Sequence, residues 1–111
     1  MTSDQIFEKR WAETIIQQAL GRLQDEYVSQ GKAELYDQLK DLAPGERGEE
    51  TYVELGKRFG LSESAIKSAM YRLRARYQRI LREEIAQTVM RPQDVEQEIR
   101  HLIHVLAGSA Q

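Results

Sequence analysis

Apolar residues recur at every third or fourth position over long stretches of this 111-residue chain. That spacing places them on one face of an α-helix, whereas a half-buried strand would alternate apolar and polar residues. Only two prolines interrupt the pattern. We therefore predict an all-α fold, with five helices in a single domain over residues 1–111 and with long first and fourth helices.

The longest apolar stripe predicts a first helix over residues 4–29. Ser3 or Asp4 can cap its start, and Gly31 lies just beyond its end. A short second helix is expected from Lys32 to about Leu42. The stripe of the first helix comprises Phe7, Trp11, Ile15, Ala19, Leu23 and Tyr27.

Each proline lies where the helical pattern breaks. Pro44 belongs to a stretch with two glycines and several charges, residues 43–50, which indicates a loop. Pro92 suits a first helical position and predicts a last helix over residues 92–107. The apolar stripe of that helix needs a partner, either the body of this chain or a second copy. The stripe comprises Val95, Ile99, Leu102 and Leu106.

The charge of the chain is unevenly distributed. The net charge is −2 overall, but residues 52–82 contain eight Lys or Arg against two Asp or Glu. The segments on either side are acidic. A basic block between acidic ones indicates an anion-binding face, and the alternative is a solvated helix rich in arginine.

The basic block opens with the predicted third helix. Thr51 and Glu54 have the spacing of a capping box, which predicts a helix over residues 52–59. Leu55 and Phe59 are one turn apart and form its inward side.

A fourth helix follows after a short turn. Gly60 tolerates the positive φ that a tight turn requires, Leu61 anchors the turn, and Ser62 can cap the next helix. Gly56 leaves room for the two helices to approach each other. Together these features predict a helix-turn-helix without a β-wing over residues 52–89, with an extended second helix. The inward residues of that helix are Ile66, Ala69 and Leu73.

The outward face of the fourth helix carries cations and short polar side chains. In a DNA-binding helix-turn-helix, the second helix places its N-terminal residues on base edges and its flanks on phosphates. For Arg79 and Arg82 we expect ion pairs with acidic residues of the first helix instead. The predicted base-reading residues are Ser64, Lys67, Ser68 and Tyr71. The predicted contacts to the DNA backbone come from Lys57, Arg58, Ser62, Arg72, Arg74 and Arg76.

The run from Thr51 to Arg82 resembles region 4 of bacterial sigma factors, of the extracytoplasmic-function type in the sigma-seventy family. The most specific part is Ile66-Lys67-Ser68 followed by Arg72-Leu73-Arg74, and the resemblance extends over roughly residues 7–90. It implies binding to a promoter −35 element in double-stranded DNA and to the β flap of RNA polymerase. By that resemblance, the base-reading positions are Ser64, Lys67, Ser68 and Tyr71, and Lys57, Arg58 and Arg72 match backbone-contacting positions.

Nothing in the chain resembles sigma region 2. We therefore expect either a fragment of a sigma factor or a stand-alone region-4 protein that does not direct initiation alone. An anti-sigma protein is a further candidate partner, as is a second copy bound through the first or fifth helix. The alternatives are a dimeric helix-turn-helix regulator that binds paired half-sites, and an adaptor whose basic helix binds acidic protein.

The sequence favours a binding function over catalysis. The absence of cysteine excludes disulfides, thiolate metal sites and a cysteine nucleophile. Glu98, His101 and His104 have a spacing that could hold a metal on one helix face, but we expect a solvated edge and predict no metal or cofactor. No membrane span or secretory signal is found, so we expect a cytoplasmic protein.

Overall fold

All regular secondary structure in the part of the chain that the structure describes is helical. The computed structural model describes residues 2–40 and 49–109, apart from the side chains of the first two and last two residues of the second range. In these ranges the all-α prediction is confirmed, and no helix is both long and apolar enough to cross a membrane. The helices are α1 (Ser3–Ser29), α2 (Ala33–Leu39), α3 (Glu49–Phe59), α4 (Glu63–Ala86) and α5 (Val95–Ser109), with a 3-10 turn at Pro92–Asp94.

The cap of α1 is Thr2 rather than Ser3 or Asp4. The Thr2 N–H donates to Gln5 Oε1 at 2.9 Å, and the Gln5 N–H donates to Thr2 Oγ1 at 3.2 Å. This reciprocal capping box satisfies two backbone donors at once. Neither Ser3 nor Asp4 has a Glu or Gln three positions further on, so neither can form the same pair.

Gly31 ends α1, as predicted. Its φ is +72°, in the left-handed region that favours glycine. The Lys32 N–H donates to the Tyr27 carbonyl at 2.8 Å, and the Gly31 N–H donates to the Val28 carbonyl at 3.0 Å. α2 then ends at Leu39, earlier than predicted.

The third helix starts earlier than predicted. Residues 49 and 50 already belong to α3, so Thr51 lies inside the helix and the predicted capping box of Thr51 and Glu54 is wrong. The local cap signal at Thr51 therefore does not mark the start of α3. The rest of the predicted loop, residues 43–48, lies outside the described residues, as does Leu42.

The break between α4 and α5 is confirmed, with shifted bounds. α4 ends at Ala86 rather than near Val89. Pro92 opens a 3-10 turn, as its fixed φ and missing N–H allow, and α5 itself begins at Val95.

The turn between α3 and α4 is held by backbone contacts. The Leu61 N–H donates to the Gly56 carbonyl at 2.7 Å, and Gly60 has a φ of +68°. A Cβ on Gly56 would overlap the Leu61 carbonyl oxygen, so the close approach at Gly56 is to the turn rather than to α4. Leu61 itself is 42% exposed and does not anchor the turn by burial. Ser62 caps α4 as predicted, because its Oγ accepts from the Ala65 N–H at 3.1 Å.

The chain divides into two compact units by its contacts. Unit 1 comprises Met1–Arg22 and Tyr77–Gln111, and unit 2 comprises Leu23–Arg76. α1 and α4 each contribute residues to both units. That the chain forms a single domain stays a prediction. The buried apolar residues of unit 2 are Leu23, Tyr27, Tyr36, Leu39, Leu55, Ile66, Ala69, Met70 and Leu73.

The apolar stripe of α5 packs into the core of unit 1. Leu102 is buried in a cluster with Ala12 and Ile15 of α1 and Ile85 of α4. Of the two partners considered for this stripe, the structure therefore shows the body of this chain. Phe7, predicted to lie on the buried stripe of α1, is 69% exposed instead. The partly buried residues packed against the cluster include Trp11, Ile16, Leu81, Val95, Ile99 and Leu106.

Among the late arginines, Arg82 has a different ion pair from the one expected. Arg82 binds Glu96 of α5 rather than an acid of α1, and Arg79 binds Glu83 one turn along its own helix at 3.1 Å. In the ion pairs of Arg22, α1 supplies the cation and α4 supplies the carboxylates, whereas the expectation had the cations on α4. Arg22 of α1 binds Glu83 at 2.6 Å and Glu84 at 3.2 Å.

We expect Gly56→Ala to destabilise the protein, and Gly21→Ala is the matched control. The added methyl at Gly56 displaces the backbone of the turn, and overpacking of this kind costs about 1–3 kcal/mol. Gly21 is exposed in α1 with open space around its Cβ position, so alanine there should stabilise by about 0.5–1 kcal/mol. Urea unfolding of both variants measures the two free energies. Equal effects of the two substitutions would contradict the close approach at Gly56.

We expect the Glu83 interactions to be lost at low pH. The hydrogen bond from Arg22, and then that from Arg79, hold the pKa of Glu83 below its ordinary value of 4.5. Because the folded pKa is lowered, Glu83 contributes stability above its unfolded pKa, and that contribution is lost as the pH falls through the folded pKa. Thermal unfolding of wild type and Glu83→Gln from pH 7 to pH 3 should show their difference shrinking below about pH 4.5. A difference that stays constant over this range would contradict the lowered pKa.

Candidate nucleic-acid interface

The helix after the turn has one buried and one exposed face within unit 2. The predicted base-reading residues follow helical spacing on the exposed face, and all four side chains are exposed. The buried positions are offset from them by two residues, which is about 200° around an α-helix. Burial of one set therefore directs the other set to solvent. The buried set is Ile66, Ala69, Met70 and Leu73, and the exposed set, here called the α4 stripe, is Ser64, Lys67, Ser68 and Tyr71.

The α4 stripe offers the groups that bind base edges. The hydroxyls of Ser64 and Ser68 can both donate and accept hydrogen bonds, and the Lys67 ammonium donates only. Tyr71 is 74% exposed, so its ring and hydroxyl are both available to a partner. Donors and acceptors of this kind match the pattern that base pairs present in the major groove.

Cations border the α4 stripe on both sides. Arg72 and Arg74 are two positions apart, so they emerge from the helix about 200° apart, on its two flanks. Lys57 and Arg58 lie in the last turn of α3. All four side chains are exposed, and none has an ion pair with another residue in the described ranges. These four residues, here called the open cations, are therefore available to phosphates.

Ser62 caps α4 and is also one of the predicted contacts to the DNA backbone. Its Oγ accepts a hydrogen bond from the Ala65 N–H and remains exposed. A hydroxyl that accepts one bond still has its own hydrogen to donate. The predicted phosphate contact of Ser62 is therefore compatible with its role as a cap.

Arg76 has partners inside unit 2 that the sequence did not predict. Its guanidinium carbon lies 4.9 Å from the ring centroid of Tyr27, and its Nη1 donates to Gln30 Oε1 at 2.8 Å. Burial raises the pKa of the Tyr27 hydroxyl, against the opposing charges of Arg76 and Arg72. Tyr27 packs in turn on Tyr36, with the ring centroids 5.5 Å apart. Arg76 is therefore part of the packing of unit 2, and its predicted phosphate contact stays a prediction.

Lys67 of the α4 stripe contacts two residues outside the stripe. Its Nζ lies 3.0 Å from Glu63 Oε1, and it lies 5.8 Å from the ring centroid of Tyr52 in α3. The sequence reasoning did not include Glu63 in the site. The signal was present, because a Glu four residues before a Lys is the favourable orientation for an ion pair on a helix. The contact with Tyr52 depends on the packing of α3 on α4 and has no such local signal.

The metal candidate of α5 does not assemble into a site. His101 lies 3.6 Å from Glu8 Oε1 through its Nε2, and its ring centroid is 5.7 Å from that of Trp11. Among the described residues, no three His, Asp or Glu side chains are grouped closely enough to hold a metal ion.

Comparison with known proteins finds no matching family model, no matching curated protein and no matching solved structure.

We expect Arg76→Ala to destabilise unit 2, with Arg74→Ala as the control on the same helix. Loss of the contact with Tyr27 and of the hydrogen bond to Gln30 should cost about 1–2 kcal/mol. Arg74 is exposed and is one of the open cations, so its truncation should change stability by less than about 0.5 kcal/mol. Chemical denaturation measures both values. Equal losses in the two variants would show that Arg76 has no packing role.

Proposed function

We propose that this chain is a DNA-binding domain similar to region 4 of extracytoplasmic-function sigma factors. It would bind a −35-type promoter element in the major groove, contact the β flap of RNA polymerase, and act in the cytoplasm. The α4 stripe, exposed on the helix that follows the turn and bordered by cations, is the observation that carries the DNA-binding part. The −35 element and the flap come from the sequence resemblance of Thr51 to Arg82.

The geometry of α4 supports insertion into a groove. An α-helix with its side chains is about 10–12 Å across, and the major groove is about 12 Å wide. With the α4 stripe facing the bases, Arg72 and Arg74 extend from the two flanks of the helix. Each can then reach the phosphates of a different strand, which sets the orientation of the helix in the groove.

The open cations support binding to a polyanion. Each phosphate neutralised contributes a slope of about −0.9 to the dependence of log K on log salt concentration. Four such contacts give a slope near −4, so affinity should fall about 10²-fold between 50 and 200 mM salt. An adaptor that binds an acidic protein releases no condensed counterions and should show a much weaker dependence.

Selection from random-sequence duplexes at two salt concentrations tests this proposal. A salt-sensitive pool enriched in one short, non-palindromic motif supports the sigma-like function. A palindromic motif, together with a dimeric mass in solution, supports the regulator instead. No binding at low salt contradicts independent DNA binding. A pull-down with the β flap then decides between a domain that binds DNA only on the polymerase and an adaptor.

Two substitutions separate base contacts from phosphate contacts. Lys67→Ala should weaken binding to the selected motif and relax its sequence preference, since Lys67 belongs to the α4 stripe. Arg74→Ala should weaken binding to all sequences alike and reduce the salt slope by about 0.9. Arg100→Ala on α5 removes the same charge from an exposed position of another helix and should leave the slope unchanged. Fluorescence anisotropy over a salt series measures all three, and wild-type behaviour of the first two variants would exclude this face.

A further inference from the structure

Glu63 lies next to the α4 stripe, at the end of α4 that a helix-turn-helix places on base edges. It is in the first turn of α4, and two steps of four residues, about 40° each around the helix, lead from Glu63 to Lys67 and Tyr71. Its side chain is 33% exposed. Because side chains on a helix lean towards the N-terminus, the Glu63 carboxylate extends the α4 stripe by one turn.

The Glu63 carboxylate can accept further hydrogen bonds. Its Oε1 lies 3.0 Å from Lys67 Nζ, and Glu63 has no other ion pair with a described residue. Two carboxylate oxygens offer about four acceptor sites, so the contact with Lys67 leaves Oε2 as an acceptor. The ammonium also offsets part of the negative charge, which reduces the repulsion between the carboxylate and the phosphates. The ion pair therefore supports the approach of Glu63 to DNA and is kept during it.

We propose that Glu63 is a specificity-determining residue, which selects a cytosine by accepting a hydrogen bond from the N4 amino group at Oε2. This inference rests on the proposed function of the α4 stripe in DNA binding. The contact between Glu63 and Lys67 does not have to break for Glu63 to contact the base.

The chemistry of the major groove explains why a carboxylate selects cytosine. A carboxylate only accepts hydrogen bonds, whereas guanine presents the acceptors O6 and N7, and thymine presents O4. Adenine has an amino group at N6, but its own N7 and the O4 of the paired thymine are acceptors on both sides. The cytosine N4 amino group has an acceptor on one side only, the O6 of the paired guanine. Cytosine therefore offers a donor with the least repulsion around it.

A purely structural role of Glu63 is the competing explanation. An acidic residue in a first helical turn interacts favourably with the helix dipole, and a Glu four residues before a Lys stabilises a helix. Both effects change the free energy of unfolding, but neither depends on which base lies in the groove. The base preference at a single position therefore separates the two explanations.

Selection from random-sequence duplexes with wild type, Glu63→Gln and Glu54→Gln tests the inference, after thermal unfolding shows that each variant folds. The two substitutions remove the same charge, and Glu54 is exposed on α3, outside the α4 stripe. The wild-type motif should contain one cytosine that the Glu63→Gln pool replaces by adenine, because an amide can accept from N6 and donate to N7. The Glu54→Gln pool should keep that cytosine.

Dissociation constants for four duplexes that differ only at this base pair measure the size of the effect. Wild type and Glu54→Gln should bind the cytosine duplex about fivefold or more tightly than the other three, as expected for one good base contact. Glu63→Gln should bind the cytosine duplex no more tightly than the adenine duplex.

Glu63→Asp keeps the test decisive even if Glu63→Gln fails to fold. Aspartate retains a carboxylate in the first turn, so thermal stability should stay close to wild type. Its side chain is one methylene shorter, so the preference for cytosine should fall by about threefold or more. An unchanged cytosine preference in the Glu63 variants, or a wild-type motif without that cytosine, overturns the inference while leaving DNA binding intact. A wild-type protein that shows no salt-dependent DNA binding overturns the proposed function itself.

Discussion

The contact between Gly56 and the backbone of Leu61 is the constraint on which the candidate interface depends. It allows α3 to end and α4 to begin within a few residues, with the Leu61 N–H bonded to the Gly56 carbonyl. That turn places Leu55 and Ile66 in the buried interior of unit 2, at 7% and 0% exposure. Because 3.6 residues make one helical turn, burial of Ile66 directs Lys67 and Ser68 outward. A change of backbone geometry at this one glycine would therefore alter which side chains α4 exposes.

Sequence reasoning succeeded at several positions where one residue and its immediate neighbours decide the local geometry, although the local signal at Thr51 was wrong. Gly31, Gly60 and Ser62 were identified because positive φ and N-capping each depend on a single residue and its immediate neighbours. It failed where several neighbouring residues could serve. Thr2 caps α1 although Ser3 and Asp4 also have capping side chains, since the pairing with Gln5 decides the choice. A helix start near residue 3 was predictable, but the capping residue was not.

Long-range pairings account for most of what the sequence did not reveal about the candidate interface. Arg76 and Gln30 are 46 positions apart, and no periodicity within α4 indicates that Arg76 would contact α1 rather than stay open like Arg72 and Arg74. The exposure of Phe7 was also not evident from the sequence. Phe7 fits the apolar stripe of α1, but its side chain is 69% exposed near the start of that helix. A helical stripe shows which face is apolar, whereas its ends are buried only if another element extends that far.

The basic segment carries less available charge than its composition indicates. Arg79 and Arg82 bind Glu83 and Glu96, Arg76 packs on a tyrosine, and Lys67 is paired with Glu63. The open cations are therefore half of the eight basic residues of segment 52–82. For the proposed DNA-binding function, the non-specific affinity would depend on these residues, since counterion release depends on the phosphates actually neutralised. The other four cations contribute instead to ion pairs and packing within the protein.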